Sequence, residues 1–225
     1  MIIRILSGAA AGLFCSSVSF FLADRLLRRR GRELQARKSE IRLFPLCLAL
    51  CGSAVVLICG FSVKSLYYFI MLLIGGTVSI TDMHFRIIPN DMLIALFVTA
   101  LAFGIPRLFG FESFPEFSLK SSLLGLAVCF AIFMLPAALS KKVGAGDVKL
   151  AAVMGFALGL HNSLFAIVIM GVFVLAFTLL QRRTAGAGIL RTMIPMGPFI
   201  AASMLVVPLL LELSAAGGPA AFVSF

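Results

Sequence analysis

The chain has little of what marks a water-soluble surface. Of its 225 residues only nine are acidic, two are histidine and none is tryptophan. Charged residues make up 12% and hydrophobic ones 61%, and the mean hydropathy is +1.13. Soluble domains average about half apolar and about a quarter charged, so an ordinary soluble fold is excluded. With no Trp and two Tyr, the chain also lacks the aromatic belts usual at membrane interfaces, for which we have no physical account. No Cys-x-x-Cys occurs, and Cys15, Cys47, Cys51, Cys59 and Cys129 all fall in apolar segments. Cys47 and Cys51 are spaced to share a helix face, yet no His, Asp or Glu stands with them at that depth. They read as small buried hydrophobes, and no metal is expected.

What is present is length without charge. Stretches free of Asp, Glu, Lys and Arg run over Ile5–Ala23, Leu43–Val63, Ser65–Thr81, Met92–Pro106, Ser121–Ser140, Leu150–Gln181 and Thr192–Leu211. As one helix the sixth would far exceed a hydrocarbon slab of about 30 Å. The stretch "GFALGLHNSL" offers a turn at Gly159 to Asn162, which divides it in two. The expected fold is all-α, a polytopic integral membrane bundle of about eight transmembrane helices in a single domain, 1–225. The first apolar run is followed by a basic block instead of a small-residue cleavage site, so it reads as a retained anchor.

Charge orients the bundle. The loop 24–42, "DRLLRRRGRELQARKSEIR", holds eight basic residues, and taking it as cytoplasmic places 15 of the 19 Lys and Arg inside. That asymmetry is what the positive-inside rule predicts for a protein of the plasma (inner) membrane. Both termini are then external, while the segments 82–91 and 140–149 face the cytoplasm. The loop has no aromatic residue on which a base could stack, which argues against nucleic acid as a partner. Its charge suits solvent and anionic headgroups.

The acidic residues can be taken one at a time. Asp24, Glu33 and Glu40 offset the basic loop, and Glu112, Glu116 and Glu212 lie toward the outer face. Asp91 follows Pro89 and Asn90 at a helix start, where Asn90 or Asp91 can cap free amides. Asp82 has no such role, because an acid at a helix C-terminus opposes the macrodipole. Asp147 follows "VGAG", whose glycines allow unusual backbone and close approach. As a helix N-cap it would need no further explanation, but it has a counterpart in Asp82. Carboxylates at a membrane boundary are costly and point to function. Two of them brought together share a proton, so that one serves as base toward water while the other polarises a carbonyl. Spacing alone leaves two readings open, a peptide-cleaving dyad and a proton-coupled transporter.

Three stretches resemble the type IV prepilin peptidase family. "DMHFRIIPN" is similar to its first aspartate motif, an Asp separated by five residues from Ile-Pro-Asn. "GAGDVKLAA" is similar to its second, Gly-x-Gly-Asp-x-Lys-Leu, and "IPMGPFIA" to a Pro-x-Gly-Pro-Phe signature in the last helix. They occur in family order and cover about Leu66 to Met204. The resemblance implies an aspartyl endopeptidase that removes short basic leaders from prepilins or pilin-like precursors, cutting after a glycine at the cytoplasmic face. It implies Asp82 and Asp147 as the catalytic pair, and Lys149 as a cation able to keep one of them ionised. Pro89, Asn90, Gly144 and Gly146 match site-shaping positions, while Pro195, Gly197 and Pro198 would shape or kink the last helix. Asp91, Glu33 and Glu40 offer negative charge to a basic leader.

The amino-terminal part departs from that pattern. Fuller members carry a longer loop with two zinc-binding Cys-x-x-Cys pairs and a second activity, N-methylation. Here the loop contains no cysteine, and Phe20 stands where an Asn is usual. The expectation is a peptidase without zinc or other cofactor, S-adenosylmethionine entering only with a retained methyltransferase activity, which the short loop argues against. A presenilin-like protease shares Gly-x-Gly-Asp, but Thr81 precedes Asp82 where a Tyr would stand, and no Pro-Ala-Leu follows. Transporters place charged sites near the midplane between repeats, whereas both aspartates lie at span ends and no repeat is evident. His84 reads as a solvated turn residue before a proton shuttle.

Overall fold

The computed structural model describes residues 1–34, 38–140, 144–185 and 195–215, and the side chains of all of these except 38–42, 140 and 182–185. Lys141, Lys142, Arg191 and the start of the last apolar run at Thr192–Ile194 lie outside the described residues. Those that are described form seven helices and no strand: α1 Ile2–Arg28, α2 Lys38–Cys59, α3 Val63–Phe85, α4 Asn90–Leu108, α5 Leu119–Ser140, α6 Ala145–Ala185 and α7 Gly197–Ala215. Six are long and apolar enough to cross a membrane, and α2 contributes the shorter apolar run Leu43–Cys59. The chain is an all-helical, multi-pass membrane bundle.

The 41 residues of α6 are not one rod. Gly159 takes φ 76° and ψ 175°, a conformation essentially reserved for glycine, and the chain turns back there. The limb 145–158 climbs beside α4, from Lys149 next to Asn90 up to Phe156, whose ring meets Phe97 and Phe117. The limb 160–185 descends along α7. Asn162 shares a cavity with Glu212 near the end of α7, whereas Phe177 packs on Phe199 at its beginning. Eight helical runs result among the described residues, with the reversal at the first residue of the expected turn.

Glycine sets the closest helix contacts, as is usual where lipid supplies no hydrophobic drive for association. A methyl group on Gly8 would lie 2.6 Å from the Gly52 carbonyl oxygen, so α1 and α2 touch backbone to backbone. Gly155 meets Gly125 in the same way, closing α5 against the first limb of α6. The outward surface is greasy, with Phe14, Leu50, Ile94, Val168 and Leu175 all exposed. In water such a surface would aggregate; in lipid it is solvated.

At the centre stands α3, packed on α1, α2, α4 and α7. It begins in a reciprocal cap, Ser62 Oγ accepting from the Ser65 amide and Ser65 Oγ from the Ser62 amide. Its buried hydroxyls bond to backbone carbonyls of the preceding turn, Ser79 to Gly75 at 2.7 Å and Thr77 to Leu73 at 2.9 Å. One buried polar group remains at the far end, and it is Asp82.

Candidate active site

Asp82 is only 4% exposed, in the last turn of α3. There it faces the carbonyl end of its own helix, which repels negative charge. The compensation comes from 115 residues away. Asp82 Oδ2 accepts the Gly197 N–H at 2.8 Å, at the first residue of α7, so the acid sits between the negative end of one helix and the positive end of another. A side chain on Gly197 would press on the carboxylate, its Cβ lying 2.9 Å from Oδ2 and 3.1 Å from Cγ.

Just beyond Asp82, α3 ends at Arg86 in the left-handed conformation (φ 54°), its N–H bonded to the Asp82 carbonyl at 2.9 Å. No other non-glycine among the described residues has positive φ. Such strain, worth about 1–2 kcal/mol, gathers at functional sites. Among the described residues Arg86 is also the cation whose charge bears on Asp82. Lys149, the expected cation, is exposed and lies with Asn90 in a groove between α4 and α6.

Asp147 occupies the first turn of α6. Its Oδ2 accepts the Gly144 N–H at 3.2 Å, the back-reaching half of a capping box whose N-cap is a glycine. Its Oδ1 is buried and finds no hydrogen-bond partner among the described residues. An oxygen so placed is expensive, and capping does not explain it. The carboxylate feels the charge of Asp82, so the two acids share one end of the bundle within electrostatic reach. Gly146, the neighbour of Asp147 in sequence, lets Ile88 pack closely, since a Cβ there would stand 3.1 Å from that side chain.

The remaining positions lie at the neighbouring helix ends. Pro89 is buried as the N-cap of α4, which makes no side-chain cap hydrogen bond, so neither Asn90 nor Asp91 caps as the spacing suggested. Asp91 still lies in the first turn, where its charge suits the helix dipole. Pro195, Gly197 and Pro198, expected to shape or kink the last helix, stand at the start of α7, with Met196 O accepting from Phe199 and Ile200 at 3.1 Å. His84 is not a solvated turn residue. It is half-buried in the last turn of α3 and lines an apolar cavity with Phe20, Phe44 and Met83. Arg32 stacks over Phe85 at 5.2 Å, so the basic loop begins at this same end.

Sequence reading missed the hold of Gly197 on Asp82, the charge of Arg86 and the packing of Ile88. One signal was available. An acid at a helix C-terminus requires positive potential from elsewhere, and a Pro-x-Gly-Pro segment is a good start for a helix that supplies it.

Fold and site thus define a polytopic membrane protein with two acidic side chains gathered at helix ends on one face of the bundle. The model of the Type IV leader peptidase family matches residues 66–179, about half of the chain, and the chain belongs to that family. It is 39% identical over 142 residues to the "Prepilin leader peptidase/N-methyltransferase" of Bacillus subtilis (strain 168), an alignment covering 61% of this chain. The chain spans about half the length of that relative, 52%. No solved structure gives a significant match.

Proposed function

We propose that the protein is an aspartyl endopeptidase that removes leader peptides from type IV prepilin or pilin-like precursors, with Asp82 and Asp147 as its dyad, at the cytoplasmic face of the plasma membrane. The observation that carries the reading is the convergence of these two acids, 65 positions apart in sequence, at one end of a membrane bundle, where Gly146 beside Asp147 packs on Ile88 of the segment that follows Asp82. One carboxylate takes a proton from water as the water oxygen attacks the scissile carbonyl carbon. The other donates its proton to the carbonyl oxygen. The tetrahedral diol then collapses: its nitrogen takes the proton from the first carboxyl and leaves, while a diol hydroxyl returns a proton to the second, which restores the pair.

A precursor with a basic leader and an apolar helix suits the surroundings. A groove of about 440 Å³ lies between α4 and α6, lined by Asn90, Ile94, Phe97, Lys149 and Val153 with Phe130 from α5. An apolar helix entering sideways from lipid would bring its junction with the leader to the two acids. Arg32 of the basic loop lies at the same end, and the loop's positive charge supports a cytoplasmic reading of that end. The proposal is confined to proteolysis, since the loop 24–42 contains no cysteine with which to build a metal-bound domain.

The test is substitution without loss of shape. Asp82→Asn and Asp147→Asn each keep an acceptor oxygen for the Gly197 or Gly144 amide and remove the titrating group. Purified full-length protein in lipid nanodiscs, given a prepilin-type substrate, should lose about 10²–10⁴-fold in cleavage rate with either change, at unaltered melting temperature. Cleavage at the unmodified rate with either substitution refutes the dyad.

A further inference from the structure

The two acids are not equivalent, and the difference lies in what holds each one. Asp82 receives a backbone amide at 2.8 Å from the first residue of α7, with Arg86 adding positive charge from its own helix. Asp147 receives a longer bond, 3.2 Å, from Gly144, and its second oxygen is buried without a partner among the described residues. The groups acting on Asp82 are the Gly197 amide from α7 and Arg86 at the end of α3, and the charge of Asp82 in turn acts on Asp147 of α6. Both bonds lie at helix N-termini, and hydrogen bonds to an ionised group are roughly twice as strong as neutral ones, so the shorter bond, with Arg86 beside it, selects which acid bears the charge.

We propose that Gly197 is a positioning residue whose backbone N–H fixes the Asp82 carboxylate and makes it the ionised member of the pair, leaving the shared proton on Asp147. This rests on the dyad reading and assigns its roles. Asp82 takes the proton of the attacking water, and Asp147 gives its own proton to the scissile carbonyl oxygen, so the pair ends the addition step with the proton moved from Asp147 to Asp82. It also gives the Pro-x-Gly-Pro segment a chemical task. Any side chain at its glycine would fill the space of the carboxylate, with 3.0 Å from a Cβ there to the Asp82 Cβ.

The decisive change deletes one donor and adds no bulk. Replacing Gly197 by glycolic acid converts the Met196–Gly197 amide to an ester, which has no N–H. Protonation is read by infrared pH titration of isotope-labelled aspartate carboxyls in the full-length protein, with bands assigned through Asp82→Asn and Asp147→Asn. In the unmodified protein the Asp82 band should ionise first as pH rises. In the ester protein its transition should move upward by about one pH unit, because the charged form loses its donor. The acidic limb of kcat/KM should move with it. Pro198→Ala returns an N–H to the first turn of α7 and should move both in the opposite direction, which keeps the test alive if the ester protein does not fold.

An unmoved Asp82 transition in whichever of these variants folds overturns the proposal, as does a fall in rate with no shift of the limb, the mark of a purely structural role. So does Asp147 ionising first in the unmodified protein. Because the infrared readout needs no turnover, a protein that titrates as expected yet cleaves no prepilin-type substrate would sink the peptidase reading and leave this assignment standing.

Discussion

Gly155→Ala isolates the role of the α5–α6 contact. A Cβ at 155 would stand 2.6 Å from the Gly125 carbonyl carbon and 2.9 Å from Cys129 Sγ, and closer still to the Gly125 oxygen. Ordinary van der Waals contact begins near 3.4 Å. The obstacle is mostly backbone, so relief requires the helices to part by on the order of 1 Å, and overpacking of this kind costs about 1–3 kcal/mol. Asp147 lies eight residues before Gly155 on the same limb, about 12 Å along the axis, and moves with it. A displacement of that size at reacting groups costs about 10²-fold in rate. Cleavage of a prepilin-type substrate, followed by gel mobility, and thermal unfolding in the same detergent measure the two consequences. We expect a loss of about 10²-fold, and a melting temperature lower by roughly 2–4 °C per kcal/mol lost. Gly171→Ala is the control, since a Cβ there meets nothing within 4 Å. If Gly155→Ala melts and cleaves like the unmodified protein, the backbone contact does not position Asp147 and the reasoning fails.

Two further outcomes follow from the same geometry. Gly159→Ala imposes a side chain on a backbone shape that only glycine adopts freely, with its Cβ 2.8 Å from Ser121 Oγ, the oxygen that accepts the Leu160 N–H. It should destabilise the protein by about 1–3 kcal/mol in thermal unfolding. Asp91→Asn should cost no more than about 0.3–1 kcal/mol and leave the cleavage rate intact, because Asp91 makes no cap bond at the start of α4; a large loss of cleavage would give Asp91 a part that the geometry does not.

The sequence carried the class and much of the layout because both depend on local quantities. Charge-free length gives the spans, and a 32-residue run cannot be one membrane helix, so the break at Gly159 was legible from length and a single glycine. Asp82 stood out because its position at a helix C-terminus is locally unfavourable. The capping role of Asn90 or Asp91 was misjudged for a related reason. Propensity says which residues can cap, but the cap bond depends on a rotamer and backbone angle set by packing, and here Pro89 takes the N-cap position itself.

By itself the sequence determined that the chain lives in a membrane, that its basic residues concentrate in alternate loops, and that two acids lie at the ends of apolar runs, where lipid makes acids costly. Those are consequences of composition and spacing, which solvation energies read residue by residue. Only the tertiary structure decided what holds each acid. The amide that meets Asp82 comes from another helix far along the chain, the burial of an Asp147 oxygen with no partner among the described residues is created by packing around it, and Gly125 and Gly155 matter only because they face each other. Pairing between distant segments is fixed by how surfaces fit in three dimensions, and no local window of sequence contains that fit.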